Sequence, residues 1–224
     1  MSFNLRSITL DIETTGLSFL EGHKIVEIGC VELLDNFPSG KTWQRYINPE
    51  RTMPEDAFKI HGLSEEFLSS KPVFSEIIDD FLNFIKDSDL IIHNSRFDLP
   101  FINYELEINK SKALDPKKNN VIDTLTLARK IYPGQSVSLD ALSRRYKLNI
   151  ERDNHGALLD AEILAEVYLE MQGGRQQNIK LIESANEKKK YKQAQTYDYS
   201  KRIYEVTGQE KKNHQDLLDF INNF

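Results

Sequence analysis

Three β-type runs crowd into the first 49 residues. Residues 7–12, "KIVEIGCVEL" (24–33) and "KTWQRYINP" (41–49) each read as a strand, with Gly16 and Gly22 punctuating the first connection and Pro49 closing the third. Connections this short suit hairpins and leave no room for crossover helices, so the pattern predicts an antiparallel meander. Then the period changes. In "FSEIIDDFLNFIKD" apolar residues at 74, 77, 78, 81, 82 and 85 line one face of a helix, with Pro72 just ahead of it. "DLIIHN" (89–94) is a brief strand, and "FDLPFINYEL" (97–106) is a helix with Pro100 in its first turn. "NNVIDT" (119–124) is another strand and leads into a helix through Tyr132, stopped by Pro133-Gly134. Residues 138–146 and 156–171 are two more helices. Strands that first cluster and then alternate with helices predict an α/β fold, a mixed sheet with helices packed against it.

The chain has 224 residues, 39% of them hydrophobic, enough for one good-sized domain plus further material. It contains no run of about 18 apolar residues and no basic-then-apolar N-terminal leader, so neither a membrane span nor a signal peptide is expected. Cys30, the only cysteine, rules out a disulfide framework or a thiolate metal cluster and is most simply a small core residue; the cytoplasm is the default compartment. Gly173-Gly174 marks the expected edge of a domain spanning 1–174, followed by a polar, flexible linker (175–212) and a short apolar helix pattern (213–224). Residues 175–224 hold 10 Lys+Arg against 7 Asp+Glu, a net +3, which leaves −9 on residues 1–174 out of the total of −6. An acidic body does not coat a duplex electrostatically, although bound metal ions can reverse the charge at one site.

Several acids sit where a core would exclude them. Asp11 and Glu13 in "ITLDIETTGL" end the first strand, and at i and i+2 they project to the same face. Two carboxylates about 4 Å apart repel by up to ~4 kcal/mol at an effective dielectric near 20, so the pair needs a cation, a proton or solvent. A strand that simply ends in water satisfies the same requirement. Asp98 in "IIHNSRFD" opens a helix, where an acid also complements the helix dipole. Asp160 in "HGALLDA" lies on a helix with apolar residues on most sides, so its carboxylate must be paired or metal-bound; Arg152 is one available partner. His155 precedes that helix, where a lone histidine is more often a capping or surface residue. His23 stands in no distinguishing context and reads as a surface residue.

Taken together, these residues resemble the DEDD family of 3′→5′ exonucleases in its histidine subclass. The likeness rests on Asp11 and Glu13 in "LDIETTGL", Asp98 in "HNSRFD", and His155 with Asp160 in "HGALLDA", supported by "IHGLS" (60–64) and "PGQSVSLDAL" (133–142), over about residues 5–172. It implies a ribonuclease H-like fold, a five-stranded mixed sheet flanked by helices. It also implies two divalent metal ions, Mg²⁺ or Mn²⁺, consistent with an oxygen-rich, cysteine-free site. In that reading Asp11 bridges both ions, Glu13 and Asp160 complete the nucleophile side, and Asp98 supports the second ion through water. His155 is the general base, with an ordinary pKa near 6.5 suited to neutral pH. The implied reaction is hydrolysis of the 3′-terminal phosphodiester with release of a nucleoside 5′-monophosphate. Thr14, Leu17, His61, His93 and Phe97 match family positions that line the terminal-nucleotide pocket. For His61 a helix cap or core position, and for Phe97 a core position, remain alternatives.

The tail "NHQDLLDFINN" (213–223) resembles the C-terminal pattern of the epsilon proofreading subunits of bacterial DNA polymerase III, through His214, Gln215, Leu218, Asp219 and Ile221. That likeness implies a DNA 3′ end as substrate, single-stranded or frayed, and docking on the polymerase alpha subunit through the tail. An amphipathic helix folding back on its own domain is the alternative. A sliding-clamp contact near residues 176–181 would follow from the same family, but "GGRQQNIKLIE" departs from the usual glutamine-led pattern. The run Lys188-Lys189-Lys190 fits a solvated linker. The domain alone fits an RNA-directed or small-oligonucleotide exonuclease as well, and a catalytically silent nucleic-acid-binding module would have no use for four converging carboxylates.

Overall fold

A computed structural model describes residues 6–148, 155–174 and 208–222. The chain divides into two compact units, Met1–Gln177 and Asn178–Phe224.

In the first unit, strands β1 (Arg6–Thr14), β2 (Ile25–Leu34) and β3 (Phe37–Tyr46) form the expected meander. They are followed by α1 (Glu55–His61), α2 (Glu65–Ser69), α3 (Phe74–Ile85), β4 (Asp89–Ile92), α4 (Ser95–Ile108), β5 (Val121–Asp123), α5 (Thr124–Ile131), α6 (Leu139–Arg145) and α7 (Ala157–Met171). The sheet order is β3-β2-β1-β4-β5. The β1–β2 and β2–β3 pairs are antiparallel, and β4 and β5 run parallel to β1 and to each other. This is the expected five-stranded mixed sheet.

Three details differ from the sequence-based expectation. Strand β3 begins at Phe37, four residues before the expected start at 41, because Asp35 and Asn36 both take positive φ (53° and 68°) and close a tight hairpin whose twist suits the strands. Helices α1 and α2, of 7 and 5 residues, were not foreseen, since neither is long enough to display a helical period. Strand β5 shrinks to Val121–Asp123, because Asp123 caps α5 instead of extending the strand: its carboxylate accepts from the amides of Leu125 and Thr126.

Alternation along β1 and β2 divides two cores. Ile8, Leu10 and Ile12 of β1 and Ile28 and Cys30 of β2 pack with Phe74, Phe81 and Phe101 of α3 and α4. The other face carries Val31, Leu33 and Ile91 against Ala161, Leu164, Ala165 and Tyr168 of α7. Thr9, Asp11 and Glu13 share this second face by the two-residue period. Small residues let α7 lie close: Ala157 and Ala161 are fully buried, and the Thr9 hydroxyl donates to the Ala161 carbonyl at 2.8 Å.

In the second unit the described element is α8 (Gly208–Asn222), where Gln215 Nε2 donates to Asp219 Oδ1 one turn on, at 3.1 Å. His214, Leu218 and Asp219 are exposed. The side chain of Ile221, the linker to residue 207 and the clamp-type segment at 176–181 lie outside the described residues. Among the described residues no helix is long and apolar enough to cross a membrane.

Candidate active site

The meander's register decides what the acids of β1 face. Asp11 lies opposite Gly29 and Glu13 opposite Glu27. Gly29 has no side chain because α7 occupies that space: a Cβ built there would lie 2.2 Å from both the Ala157 carbonyl carbon and the Leu158 nitrogen. Glu27 is 2% exposed, and its carboxylate accepts from the backbone amides of Ala157 and Leu158 and from Gln44 Nε2 at 2.7 Å. Burial raises its pKa and these hydrogen bonds oppose the rise. Gly156, the N-cap residue of α7, offers no side-chain cap, so a glutamate from the neighbouring strand satisfies the orphan amides of the first turn. Just upstream, the His155 amide donates to the Ile60 carbonyl of α1 at 3.2 Å. The start of α7 is thus held from two sides.

This anchoring brings three predicted residues together. Glu13, His155 and Asp160 each present a ligand atom, and the three atoms lie within 4.8 Å of one another. His155 Nδ1 is 3.1 Å from Asp160 Oδ2; the histidine side chain is 46% exposed and the aspartate 6%. Asp11 stands on the same strand face, two residues before Glu13. Asp98, 3% exposed in the first turn of α4, reaches β1 from another direction and accepts from the Ile12 amide and its own. Burial pushes the Asp98 carboxyl up to about 8, with the charge of Asp123 adding to the rise and the two amides opposing it. Carboxylate oxygens and one imidazole nitrogen at this spacing suit a hard divalent cation, which would also offset their mutual repulsion.

A cavity of about 510 Å³ opens beside Glu13. Four of the five residues expected to bind the terminal nucleotide line it: Thr14, Leu17, His61 and Phe97. Leu17 is 83% exposed at its rim. His61 is buried; its Nδ1 accepts from the Leu63 amide at 3.0 Å, and its Nε2 faces the Thr14 carbonyl without completing a hydrogen bond among the described residues. Burial lowers the His61 pKa and keeps the ring neutral. Phe97 also packs on Phe101 at 5.2 Å between ring centroids, so its pocket and core roles coexist.

His93 does not line this cavity. Its Nδ1 lies 3.0 Å from Thr124 Oγ1 and its ring interacts with the Val137 backbone, while burial lowers its pKa. His23, by contrast, does line it: its Nδ1 sits 3.1 Å from Thr15 Oγ1, and its ring occupies the space a Cβ on Gly16 would need. Asp56 and Ile60 of α1 were also missed. The one sequence signal for His23 was the Thr-Thr-Gly turn, whose glycine makes room for a ring from across the loop.

Comparison with known proteins agrees with this geometry. A family model described as Exonuclease matches residues 8–168. The DNA polymerase III subunit epsilon of Rickettsia felis is 45% identical over 223 residues, covering 97% of each chain. That of Escherichia coli is 47% identical over 178 residues, covering 76% of this chain and 72% of its own. Among solved structures, exonuclease X in complex with 5′ overhanging duplex DNA is 26% identical with a TM-score of 0.57, over 75% of this chain and 91% of that one. The nuclease domain of 3′hExo, a DEDDh family member bound to rAMP, shares the fold with a TM-score of 0.67 at 17% identity, over 77% of this chain and 94% of that one. The acid constellation, the mixed sheet that carries it and these relatives agree: the chain belongs to the exonuclease family, in the company of the bacterial DNA polymerase III epsilon subunits.

Proposed function

We infer that the chain is a proofreading 3′→5′ exonuclease of a bacterial replicative DNA polymerase, hydrolysing the 3′-terminal phosphodiester of DNA and releasing nucleoside 5′-monophosphates in the cytoplasm. The observation that carries this reading is the convergence of Glu13, His155 and Asp160 within 4.8 Å beside a cavity of about 510 Å³. A nucleotide seated in that cavity would lie next to the acids, because one strand contributes Glu13 and Thr14 to its lining.

Asp11, Glu13, Asp98 and Asp160 would hold two divalent ions, Mg²⁺ or Mn²⁺. When bound, such ions neutralise the carboxylates, lower the pKa of the attacking water and stabilise the leaving oxygen. The chain's own residues do the rest. His155 is half exposed and rests on Asp160, so its ring is oriented by a carboxylate and still reaches solvent; it takes the proton of the attacking water. Thr14, Leu17, His61 and Phe97 seat the terminal nucleoside, with Phe97 offering an aromatic face to a base. Residues 1–174 form the nuclease domain, 175–212 the linker, and 213–224 the segment that docks on the polymerase alpha subunit, through His214, Leu218, Asp219 and Ile221; the exposure of Leu218 on α8 supports this. A clamp contact near 176–181 would lie between them.

The test is incubation with 3′-mismatched and matched primers, DNA and RNA in parallel, in Mg²⁺ or Mn²⁺ with a chelator control. Metal-dependent shortening of DNA from the 3′ end, fastest at mismatches, is expected. No shortening of DNA, or preference for RNA, would overturn the reading.

A further inference from the structure

The carboxyl edge of the sheet carries a second hollow, of about 330 Å³, built from the segments that follow β4 and β5. Asn94 and Arg96 at the start of α4, Asp123 at the end of β5, and Thr126, Arg129 and Lys130 on α5 line it. Its charge opposes that of the body around it, since residues 1–174 sum to −9. The one acid in the hollow is already engaged: Asp123 Oδ1 accepts the Leu125 and Thr126 amides, and Oδ2 accepts the Ser95 hydroxyl at 3.3 Å. Arg6, Lys24, Lys41, Arg45, Lys59 and Lys118 all pair with carboxylates. Among the described residues, Arg96, Arg129 and Lys130 make no such pair; Lys86, Lys110, Lys117 and Lys147 make none either, but the first three line one hollow. In a protein with acids to spare, three cations left facing one hollow form a site for anions.

We propose that this hollow holds backbone phosphates of the strand being trimmed, upstream of the terminal nucleotide. The proposal rests on the exonuclease reading for the identity of the strand. β5 lies two strands from β1 in the sheet, a lateral distance of about 10 Å at ~4.8 Å per step. Arg96 of the hollow adjoins Phe97 of the cavity beside Glu13, so the hollow lies within the span of the next phosphates of a chain whose 3′ end sits in that cavity. Two guanidinium groups offer the forked donors that suit phosphate oxygens. The hollow grips the polymer, while the cavity beside Glu13 selects its end.

The experiment compares the whole chain with Arg96→Ala/Arg129→Ala, and with Arg96→Lys/Arg129→Lys to preserve charge. Two substrates are used: a single-stranded DNA oligonucleotide, and the p-nitrophenyl ester of thymidine 5′-monophosphate, which has no upstream phosphate. In the alanine variant KM for the oligonucleotide should rise about tenfold or more, and its logarithmic salt dependence should fall by ~0.7 for each phosphate that is no longer neutralised. The lysine variant should keep most of the salt dependence, and ester hydrolysis should persist. Lys118→Ala, a control at the opposite end of β5, should change neither. An unchanged KM and salt slope for the oligonucleotide would overturn the proposal, as would an equal loss on both substrates. Failure of the exonuclease reading would look different, with unaltered protein inactive on both. Even then, anisotropy of a labelled oligonucleotide tests the hollow directly, and equal Kd for unaltered and alanine proteins would overturn it.

Discussion

Gly29→Ala is the substitution with the largest expected effect for the smallest chemical change. Its φ is not in the left-handed region, so an alanine suffers no backbone strain there and the whole effect is steric. The added methyl would lie 2.2 Å from the Ala157 carbonyl carbon and Leu158 nitrogen and 2.4 Å from the Ala157 oxygen. Carbon atoms in contact prefer about 3.5–4 Å, so β2 and the first turn of α7 must separate by more than ~1 Å. That turn is fixed by Glu27 and lies between His155 and Asp160, so both move relative to Glu13. Overpacking of this kind costs about 1–3 kcal/mol, or roughly 2–12 °C of Tm for a domain of this size. A misplacement of ~1 Å in a catalytic constellation costs on the order of 100-fold in rate. The assay is kcat on a 3′-mismatched primer together with a melting curve. Gly156→Ala is the contrast: this glycine adjoins His155 in the recognisable motif, yet a Cβ there meets nothing within 4 Å, so its losses should be far smaller. A Gly29→Ala enzyme with kcat within twofold of the unaltered protein would refute the close-packing argument, as would a Gly156→Ala enzyme more damaged than Gly29→Ala.

Glu27→Ala should cost about 1–3 kcal/mol, since two α7 amides and Gln44 lose their acceptor, and should lower kcat; Glu27→Gln keeps one oxygen and should fall between, with Tm and kcat read together. Asp160→Asn should abolish metal-dependent hydrolysis, yet melt no lower than the unaltered protein in chelator, because it removes one charge from a cluster within 4.8 Å; a melting drop typical of a core truncation would contradict this. Asp98, pushed up to about 8 by burial, gives a pH signature in chelator. Its folded pKa exceeds the unfolded value near 3.9, so its contribution is fully present below pH ~4 and is lost as pH rises toward 8. Asp98→Asn should therefore gain stability relative to the unaltered protein across that window, on the order of a few kcal/mol by the upper end, and denaturant melts at pH 5 and 8 showing the same difference would refute it. His61 and His93, held neutral by burial, act in the opposite sense: their folded pKa values are depressed, so stability is lost as pH falls below about 6.5.

What could be read from the sequence was what repeats locally. Three β-runs with short connections gave the meander, and the two-residue period placed Asp11 and Glu13 on one face before any partner was known. The 3.6-residue period gave α3 and the long helices. What escaped depends on contacts between segments distant in sequence, or on elements too short to repeat. α1 has 7 residues, and with it went Asp56 and Ile60 of the cavity. His23 looked idle because its partners, Thr15 and Gly16, face it across a loop. His93 carries the right letters near Asp98, but its ring is directed to Thr124 and Val137, which only the fold brings near.

Glu27 is the sharpest case, because burial alone would have misled. It is 2% exposed and Asp160 is 4% exposed, so both are acids where a core should exclude them, Glu27 on a strand and Asp160 in the first turn of α7. An argument that a buried carboxylate signals catalysis would choose them equally. They differ in what lies opposite each oxygen. Glu27 is committed to donors of its own fold, two backbone amides and an amide side chain, and so it fixes the position of a helix. Glu13, His155 and Asp160 turn their ligand atoms toward one another, all within 4.8 Å, an arrangement that a cation would complete. The functional signal is the direction of the carboxylates, and the register Glu13↔Glu27 sets the two uses of an acid side by side on adjacent strands.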